Sequence, residues 1–149
     1  MQVEDIDTTK LTKEDVHKLI DEIKKFANQV SISIPLVGKV KLDKEVIGES
    51  TQIAYRFHIY RGNIKVKYSL HLRFSDSNIH LVRLCVNGTR HKNYDGTEVG
   101  RNHIHIYKYL SSDDEVVDYA YDLNDFPFDA KDELTDAVTK FSKYVNLKS

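Results

Sequence analysis

The feature that most constrains the fold is a run of alternating apolar and polar residues from Ile53 to Phe74, interrupted at Gly62-Asn63. Strict alternation places every second side chain on the same face of a strand, so two such segments joined by a turn indicate an antiparallel hairpin. A two-residue turn at Gly62-Asn63 places Ile59 opposite Val66 and keeps the apolar faces of both strands in agreement. We therefore predict a hairpin with one buried face and one polar face.

Helical periodicity frames this hairpin at both ends of the chain. Thr12 is suited to cap a helix, and apolar residues then recur at helical spacing, which predicts a helix from about residue 13 to about residue 29. A second helical pattern covers residues 134–145, and further short strands are expected near residues 80–86, 103–109 and 116–121. The predicted fold class is α+β in a single domain, residues 1–149: an N-terminal helix, an antiparallel β-meander of about four to six strands and a C-terminal helix.

Composition favours a soluble protein of a reducing compartment. Hydrophobic residues make up 40% of the chain and charged residues 30%, which suits one globular domain with a core. No apolar run approaches the roughly eighteen residues of a membrane span, and the acidic segment of residues 1–5 lacks the apolar region of a signal peptide. Cys85 is the single cysteine and has no partner for an internal disulfide. We therefore expect a cytoplasmic protein.

Three histidines carry the strongest chemical signal. His103 and His105 are two residues apart in a predicted strand, so they project from the same face, roughly 7 Å apart along the chain. His91 precedes them and can supply a third ring nitrogen. Three imidazoles suit zinc, with a fourth position completed by a thiolate, a carboxylate or water. We predict a zinc site of His91, His103 and His105, with Cys85 as the first candidate for the fourth ligand and Asp95 as the second.

Other interpretations of the same residues remain open. The histidines can form a metal-free catalytic or RNA-contacting cluster, or they can be ordinary structural residues. A two-residue turn at Asn87-Gly88 would pair Cys85 with Arg90 and place Cys85 and His91 on opposite faces, so that ligation by both requires a bulge or a longer loop. Cys85 can also be a small buried apolar residue. The remaining histidines are expected to be exposed to solvent: His17, His58, His71 and His80.

Charge is unevenly distributed although the net charge is −1. Residues 111–136 contain ten acidic side chains and one basic side chain, a surface that would repel nucleic acid and attract a basic groove on a protein partner. The alternative is a solvated loop followed by acids at a helix N-terminus. The predicted partner-binding residues are Asp113, Asp114, Glu115, Asp118, Asp122 and Asp125.

The polar face of the predicted hairpin is basic, in contrast to the acidic stretch. Such a face can bind a nucleic-acid backbone, or it can be the solvated face that antiparallel sheets commonly have. The overall charge favours the solvated face. The residues concerned are Arg56, His58, Lys65, Lys67, His71 and Arg73.

The segment of residues 81–107 contains Arg-x-x-x-Asn-Gly-x-x-His, followed by Asn-His-x-His. It resembles an uncharacterised family of small phage and prophage proteins of Firmicutes, whose members from streptococcal prophages resemble type II anti-CRISPR proteins. The resemblance implies a small acidic metalloprotein that binds a CRISPR effector nuclease at a basic nucleic-acid-binding surface, in the cytoplasm of a bacterial host. It also implies that the four candidate ligands hold a structural metal: Cys85, His91, His103 and His105.

A second resemblance points to catalysis. Ribonuclease toxins of toxin–antitoxin pairs share a helix followed by an antiparallel sheet, and one such family has a similar His…His-x-His segment. RNA cleavage needs a general base, a general acid and a cation for the phosphate. The acid and base candidates are His91, His103 and His105, and the candidates for the cation are Arg83, Arg90 and Arg101.

Three functions follow from these patterns, in order of preference. The first is a zinc-binding phage inhibitor without catalytic activity, which blocks nucleic-acid loading or cleavage by a host CRISPR effector nuclease. The second is a metal-independent ribonuclease toxin that uses the three histidines. The third is a metallohydrolase with an open zinc position for water.

Overall fold

A computed structural model describes residues 6–149 of the chain. The expectation about a signal peptide concerns residues 1–5, which lie outside the described residues. The described part contains two helices, α1 (Lys13–Asp21) and α2 (Leu134–Tyr144). Its strands are β1 (Lys24–Phe26), β2 (Val40–Gly48), β3 (Ala54–Arg61), β4 (Tyr68–Phe74), β5 (His80–Val86), β6 (His91–Lys92), β7 (Glu98–Val99), β8 (His103–Ile106), β9 (Lys108–Leu110), β10 (Glu115–Val117), β11 (Ala120–Asp122) and β12 (Leu147–Lys148).

Eight of these strands form one sheet in the order β11-β8-β5-β4-β3-β2-β1-β12. Neighbouring strands are antiparallel, except that β1 and β12 run parallel. Two small pairs, β6 with β7 and β9 with β10, stand outside this sheet. The predicted α+β class is confirmed, but the strand number exceeds the predicted four to six because short segments at both ends of the meander extend the sheet.

The central hairpin of β3 and β4 has the predicted faces but a different register. Ile59 lies opposite Leu70 rather than Val66, so the connection spans residues 62–67 instead of two residues. The shift is an even number of residues, so the apolar face is unchanged. Instead of a tight turn at Gly62-Asn63, the connection contains a backbone hydrogen bond from the nitrogen of Lys67 to the carbonyl oxygen of Ile64. Arg61 donates hydrogen bonds of 2.9 Å and 2.6 Å to the carbonyl oxygens of Gly38 and Pro35.

Helix α1 begins where the sequence predicts, but it ends earlier. Thr12 accepts a hydrogen bond from the backbone nitrogen of Asp15 at 3.0 Å, completing an N-terminal capping box. The helix ends at Asp21 rather than near residue 29 because residues 24–26 pair with β2 and β12 as β1. Lys24 fixes this transition: its buried ammonium donates to the carbonyl oxygens of Ile20, Glu22 and Val145 at 2.7–3.0 Å. Burial lowers the pKa of Lys24 to about 8.

Both helices contribute to the core on one face of the sheet. The ring of Phe141 in α2 stacks on Phe57 in β3, with the ring centres 5.7 Å apart. Leu19 in α1 and Leu72 in β4 are fully buried in the same core cluster. The opposite sheet face therefore carries the polar half of each alternating strand. None of the helices among residues 6–149 is long and apolar enough to cross a membrane.

Candidate functional site

Two rows of polar residues cross the sheet on the face away from the helices. Directly opposed residues of antiparallel strands project from the same face, and the pairing of β5 with β8 places Cys85 opposite His103 and Arg83 opposite His105. The alternative pairing of Cys85 with Arg90 is wrong, because β5 pairs with β8 and not with the segment after Asn87-Gly88. Cys85 and the two histidines therefore share one face.

His91 reaches the same place from a short hairpin. It lies in β6, which pairs with β7 outside the main sheet. Its ring centre is 4.9 Å from that of His105 and 6.0 Å from that of His103, and the rings of His103 and His105 are 4.8 Å apart. His103 and His105 are buried, at 3% and 6% exposure, although they carry polar rings. The structure brings the three predicted imidazoles to one point.

Each of these rings has one nitrogen that faces an oxygen atom. His103 Nδ1 lies 2.7 Å from the carbonyl oxygen of Gly100, and His91 Nε2 lies 2.8 Å from the carbonyl oxygen of Asp118. A carbonyl oxygen can only accept, so the nitrogen facing it carries the proton. In the neutral rings the other nitrogens, His103 Nε2 and His91 Nδ1, then hold lone pairs that are available to a metal or a proton.

Asp118 holds two of the histidines at once. Its carbonyl oxygen contacts His91, and its carboxylate Oδ1 lies 2.6 Å from Nδ1 of His105. The angles of this close contact fall outside hydrogen-bond geometry, so the buried Nδ1 has no hydrogen-bond partner among residues 6–149. The interaction with His105 lowers the pKa of Asp118, which keeps the carboxylate charged at neutral pH. Asp118 therefore belongs to the histidine site as well as to the acidic stretch.

Two groups of side chains can offer converging ligand atoms to a metal ion. In one group, Cys85, His103 and His105 each have a ligand atom within 4.8 Å of the others. The second group meets the same limit and contains His91, His105 and Asp118. These residue types suit a transition metal such as zinc, copper or iron. Asp95, the other candidate for the fourth ligand, lies elsewhere and accepts hydrogen bonds from Thr97 and Tyr119.

Burial sets the protonation states of the site in the absence of a metal. It lowers the pKa of His103, which keeps this imidazole neutral near pH 7. Burial also raises the pKa of the Cys85 thiol, which is partly buried and therefore stays protonated at that pH. A neutral imidazole is suited to remove a proton, whereas a neutral thiol is a weak nucleophile.

The three histidines and Arg83 line a cleft of about 610 Å³. Three of its lining residues are cationic: Lys67, Arg83 and Arg90. The Nε atom of Arg83 is buried and has no hydrogen-bond partner within residues 6–149. Because a guanidinium with unused hydrogen-bonding capacity lines the cleft, Arg83 can bind an anionic acceptor there. Arg101, the third arginine candidate, does not line this cleft.

A sequence profile for a family of unknown function (DUF6978) matches residues 11–147, which include every residue of the histidine site. The chain belongs to this family. No curated protein and no solved structure matches the chain. The expected relationship to an uncharacterised family is thereby confirmed, whereas the expected phage and Firmicutes origin of this DUF6978 member stays a prediction.

Much of the acidic stretch of this DUF6978 member is free of ion pairs. Asp113, Glu115, Asp122 and Asp125 are exposed and form no salt bridge within the described residues. Asp114 is engaged locally, by an ion pair with Lys10 and a hydrogen bond from Tyr109. The partner-binding role of these acids stays a prediction.

Sequence analysis did not detect a second histidine group on the same sheet face. His58 and His71 stack with ring centres 4.7 Å apart, and His71 and His80 lie 4.4 Å apart. The expectation that these three are fully solvated is wrong, because neighbouring strands place them against one another and each is partly buried. His58 and His71 occupy directly opposed positions of β3 and β4, so their side chains project from the same face. Their places in the alternating pattern are the sequence feature that could have revealed this group.

Proposed function

We propose that this family member is a ribonuclease that cleaves RNA at the histidine cluster without a bound metal. One observation carries the proposal: lone-pair nitrogens of His91 and His103 lie in the same cleft as the Arg83 guanidinium, whose Nε has no hydrogen-bond partner in the described part of the chain. Proton-transfer groups and a phosphate-binding cation are what phosphodiester cleavage requires. The cationic cleft also accounts for RNA binding by a chain whose net charge is −1.

The chemistry follows from the environment of each ring. Neutral His103 accepts the proton of the ribose 2′-hydroxyl through Nε2, and the 2′-oxygen attacks the adjacent phosphorus. The bond from phosphorus to the 5′-oxygen breaks, and this oxygen takes a proton from His105, whose Nδ1 faces the Asp118 carboxylate at 2.6 Å. The products are a 2′,3′-cyclic phosphate and a 5′-hydroxyl, so neither water nor an oxidant is consumed. Arg83 stabilises the negative charge that develops on the phosphate oxygens.

A second candidate is a zinc-binding inhibitor of a host protein. The group of Cys85, His103 and His105 supports zinc as the bound ion, because thiolate and imidazole are its preferred ligands. The unpaired acids Asp122 and Asp125 support a partner with a basic nucleic-acid-binding surface, such as a type II CRISPR effector nuclease in a bacterial cytoplasm. In this alternative, the cleft has no catalytic role.

The experiment is RNA cleavage by purified protein in excess chelator, together with elemental analysis of the untreated protein. We expect cleavage to persist with chelator, no stoichiometric zinc, and a loss of at least roughly 100-fold in His103→Ala. The matched control is His17→Ala, which alters an exposed histidine of α1. Stoichiometric zinc, a chelator-sensitive melting temperature and no cleavage would contradict the ribonuclease proposal and favour the inhibitor.

A further inference from the structure

Tyr60 lies in the same cross-strand row as the histidine cluster. The strand pairings place Tyr60 opposite Ser69, Ser69 opposite Cys85, and Cys85 opposite His103. All four side chains therefore project from the polar face of the sheet. Neighbouring strands are about 4.8 Å apart, so three steps separate Tyr60 from His103 by roughly 14 Å. A separation of this size leaves room for a nucleotide between the two side chains.

The ring of Tyr60 is both supported and accessible. Tyr60 is 40% exposed, although it is a large side chain in the middle of a sheet. Gly62 lies against it: a Cβ atom added at Gly62 would be 3.4 Å from the tyrosine hydroxyl. The same ring lines the cleft that contains His91 and His103. A supported aromatic ring at the edge of a cationic cleft is a stacking platform for a nucleic-acid base.

Cationic side chains occupy the space around this row. Lys67 and Arg90 are exposed and line the cleft together with Tyr60, and Arg83 lies deeper, next to His105. An aromatic platform with flanking cations binds single strands, because the ring takes a base while the cations contact the backbone. A duplex fits this arrangement poorly, since its bases are already paired and stacked within the helix.

We infer that the cleft selects single-stranded RNA, with one base stacked on Tyr60 while a neighbouring phosphate lies between Arg83 and the histidine cluster. The inference rests on the proposed ribonuclease function, and it adds the form of the substrate and the residue that recognises it. Tyr60 contacts the substrate away from the reacting atoms, so it is a substrate-binding residue with no part in proton transfer.

Binding of a fluorescent RNA hexamer that cannot be cleaved, with 2′-O-methyl groups throughout, tests this inference by fluorescence anisotropy. We expect Tyr60→Ala to weaken binding by roughly 5- to 100-fold, the range typical of one lost base stack. Tyr60→Phe keeps the ring and should bind like the wild type. The matched control is Tyr94→Ala, which removes an exposed tyrosine that does not line the cleft. Circular dichroism of each variant reports whether the fold is retained.

The same assay with a blunt duplex of the same sequence tests strand selection, and we expect at least tenfold weaker binding. Equal binding of the duplex, or unchanged binding by folded Tyr60→Ala, would overturn the inference. Tyr60-dependent binding of the hexamer without any cleavage of ordinary RNA would support the binding surface and contradict the ribonuclease proposal. Cleavage at limiting substrate that Tyr60→Ala leaves unchanged would support the ribonuclease proposal and contradict the binding surface at Tyr60.

Discussion

Two groups of three histidines share the polar face of the sheet, and they differ in what their ring nitrogens face. In the cleft, His91 and His103 each direct one nitrogen to a carbonyl oxygen and keep the other free. In the stack formed by His58, His71 and His80, the rings lie face to face or tilted at 4.4–4.7 Å. The stack offers no converging metal ligands among the described residues. The same residue type therefore keeps ring nitrogens available to a ligand in one group and packs ring against ring in the other.

Arginine neighbours differ between the two groups in the same way. In the stack, Arg73 is occupied: its Nη1 lies 2.9 Å from His71 Nε2, and its Nη2 donates to Asp43. Arg83 lies opposite both His71 and His105, and its buried Nε has no hydrogen-bond partner within residues 6–149. Within residues 6–149, His58 Nδ1 in the stack is also buried without a hydrogen-bond partner, so unused capacity alone does not separate the two groups. The cleft differs because its unpartnered arginine stands beside imidazole lone pairs in an open space of about 610 Å³.

The largest expected effect comes from replacing each of the two arginines, Arg83 and Arg73, by glutamine. Arg83→Gln should reduce RNA cleavage by roughly 10²- to 10³-fold, because it removes the cation that stabilises the phosphate in the transition state. Arg73→Gln, the matched change in the stack, should leave the cleavage rate nearly unchanged. Single-turnover rates of both variants check this prediction. An equal loss in both variants would contradict the assignment of RNA cleavage to the cleft histidines rather than to the stack.

Acid should destabilise the protein through the stack. Burial lowers the pKa of His71 to about 3 and that of His80 to about 4, below the ordinary value of 6.5. As the pH falls below 6.5, the unfolded chain binds protons that the folded chain does not bind until the lower pKa values are reached. The stability from these neutral rings is thus fully present above pH 6.5 and declines on acidification, by about 1.4 kcal/mol per pH unit for each ring.

Replacing His71 separates its contribution to the pH dependence of stability from that of His80. His71→Gln should reduce the pH dependence of the unfolding free energy between pH 6.5 and 5 by about 1.4 kcal/mol per pH unit. Urea denaturation at several pH values measures the slope, and His17→Gln is the control because His17 is exposed. A slope identical to that of the wild type would mean that His71 becomes charged in the folded protein as readily as in the unfolded chain.

The smallest expected effect concerns Cys85. Its protonated thiol transfers no proton in the proposed reaction, so Cys85→Ser should keep cleavage within about threefold of the wild type. The melting temperature should also be insensitive to chelator, since no metal stabilises the folded state. Differential scanning calorimetry with and without chelator measures this. A melting temperature that falls with chelator in the wild type, but not in Cys85→Ser, would establish metal binding instead.

Local sequence patterns predicted those parts of the fold and site that depend on periodicity. The two-residue period fixed the faces of β3 and β4, and the i, i+2 spacing placed His103 and His105 side by side. The capping residue Thr12 fixed the start of α1. These features depend on residues close together in the chain, where backbone geometry alone decides the outcome.

Sequence analysis missed the features that depend on contacts between residues far apart in the chain. The long connection after β3 follows from the register of β3 with β4, and the early end of α1 depends on β1 pairing with the last strand. Sequence analysis named Arg83 as one of three candidates for the cation, but placing it beside His105 requires knowing that β5 pairs with β8. Asp118 appeared as one acid among ten, and only the fold places it against two histidines.

Imidazole ¹⁵N NMR during titration with the uncleavable RNA hexamer, in excess chelator, shows which histidines contact RNA and which ring nitrogens carry protons. At pH 7.5 we expect His103 to carry its proton on Nδ1 and His91 on Nε2. Bound RNA should shift the resonances of these cleft rings and leave those of His58 and His71 in place. A proton on Nε2 of His103, or shifts confined to the stack, would contradict the assignment of chemistry to the cleft.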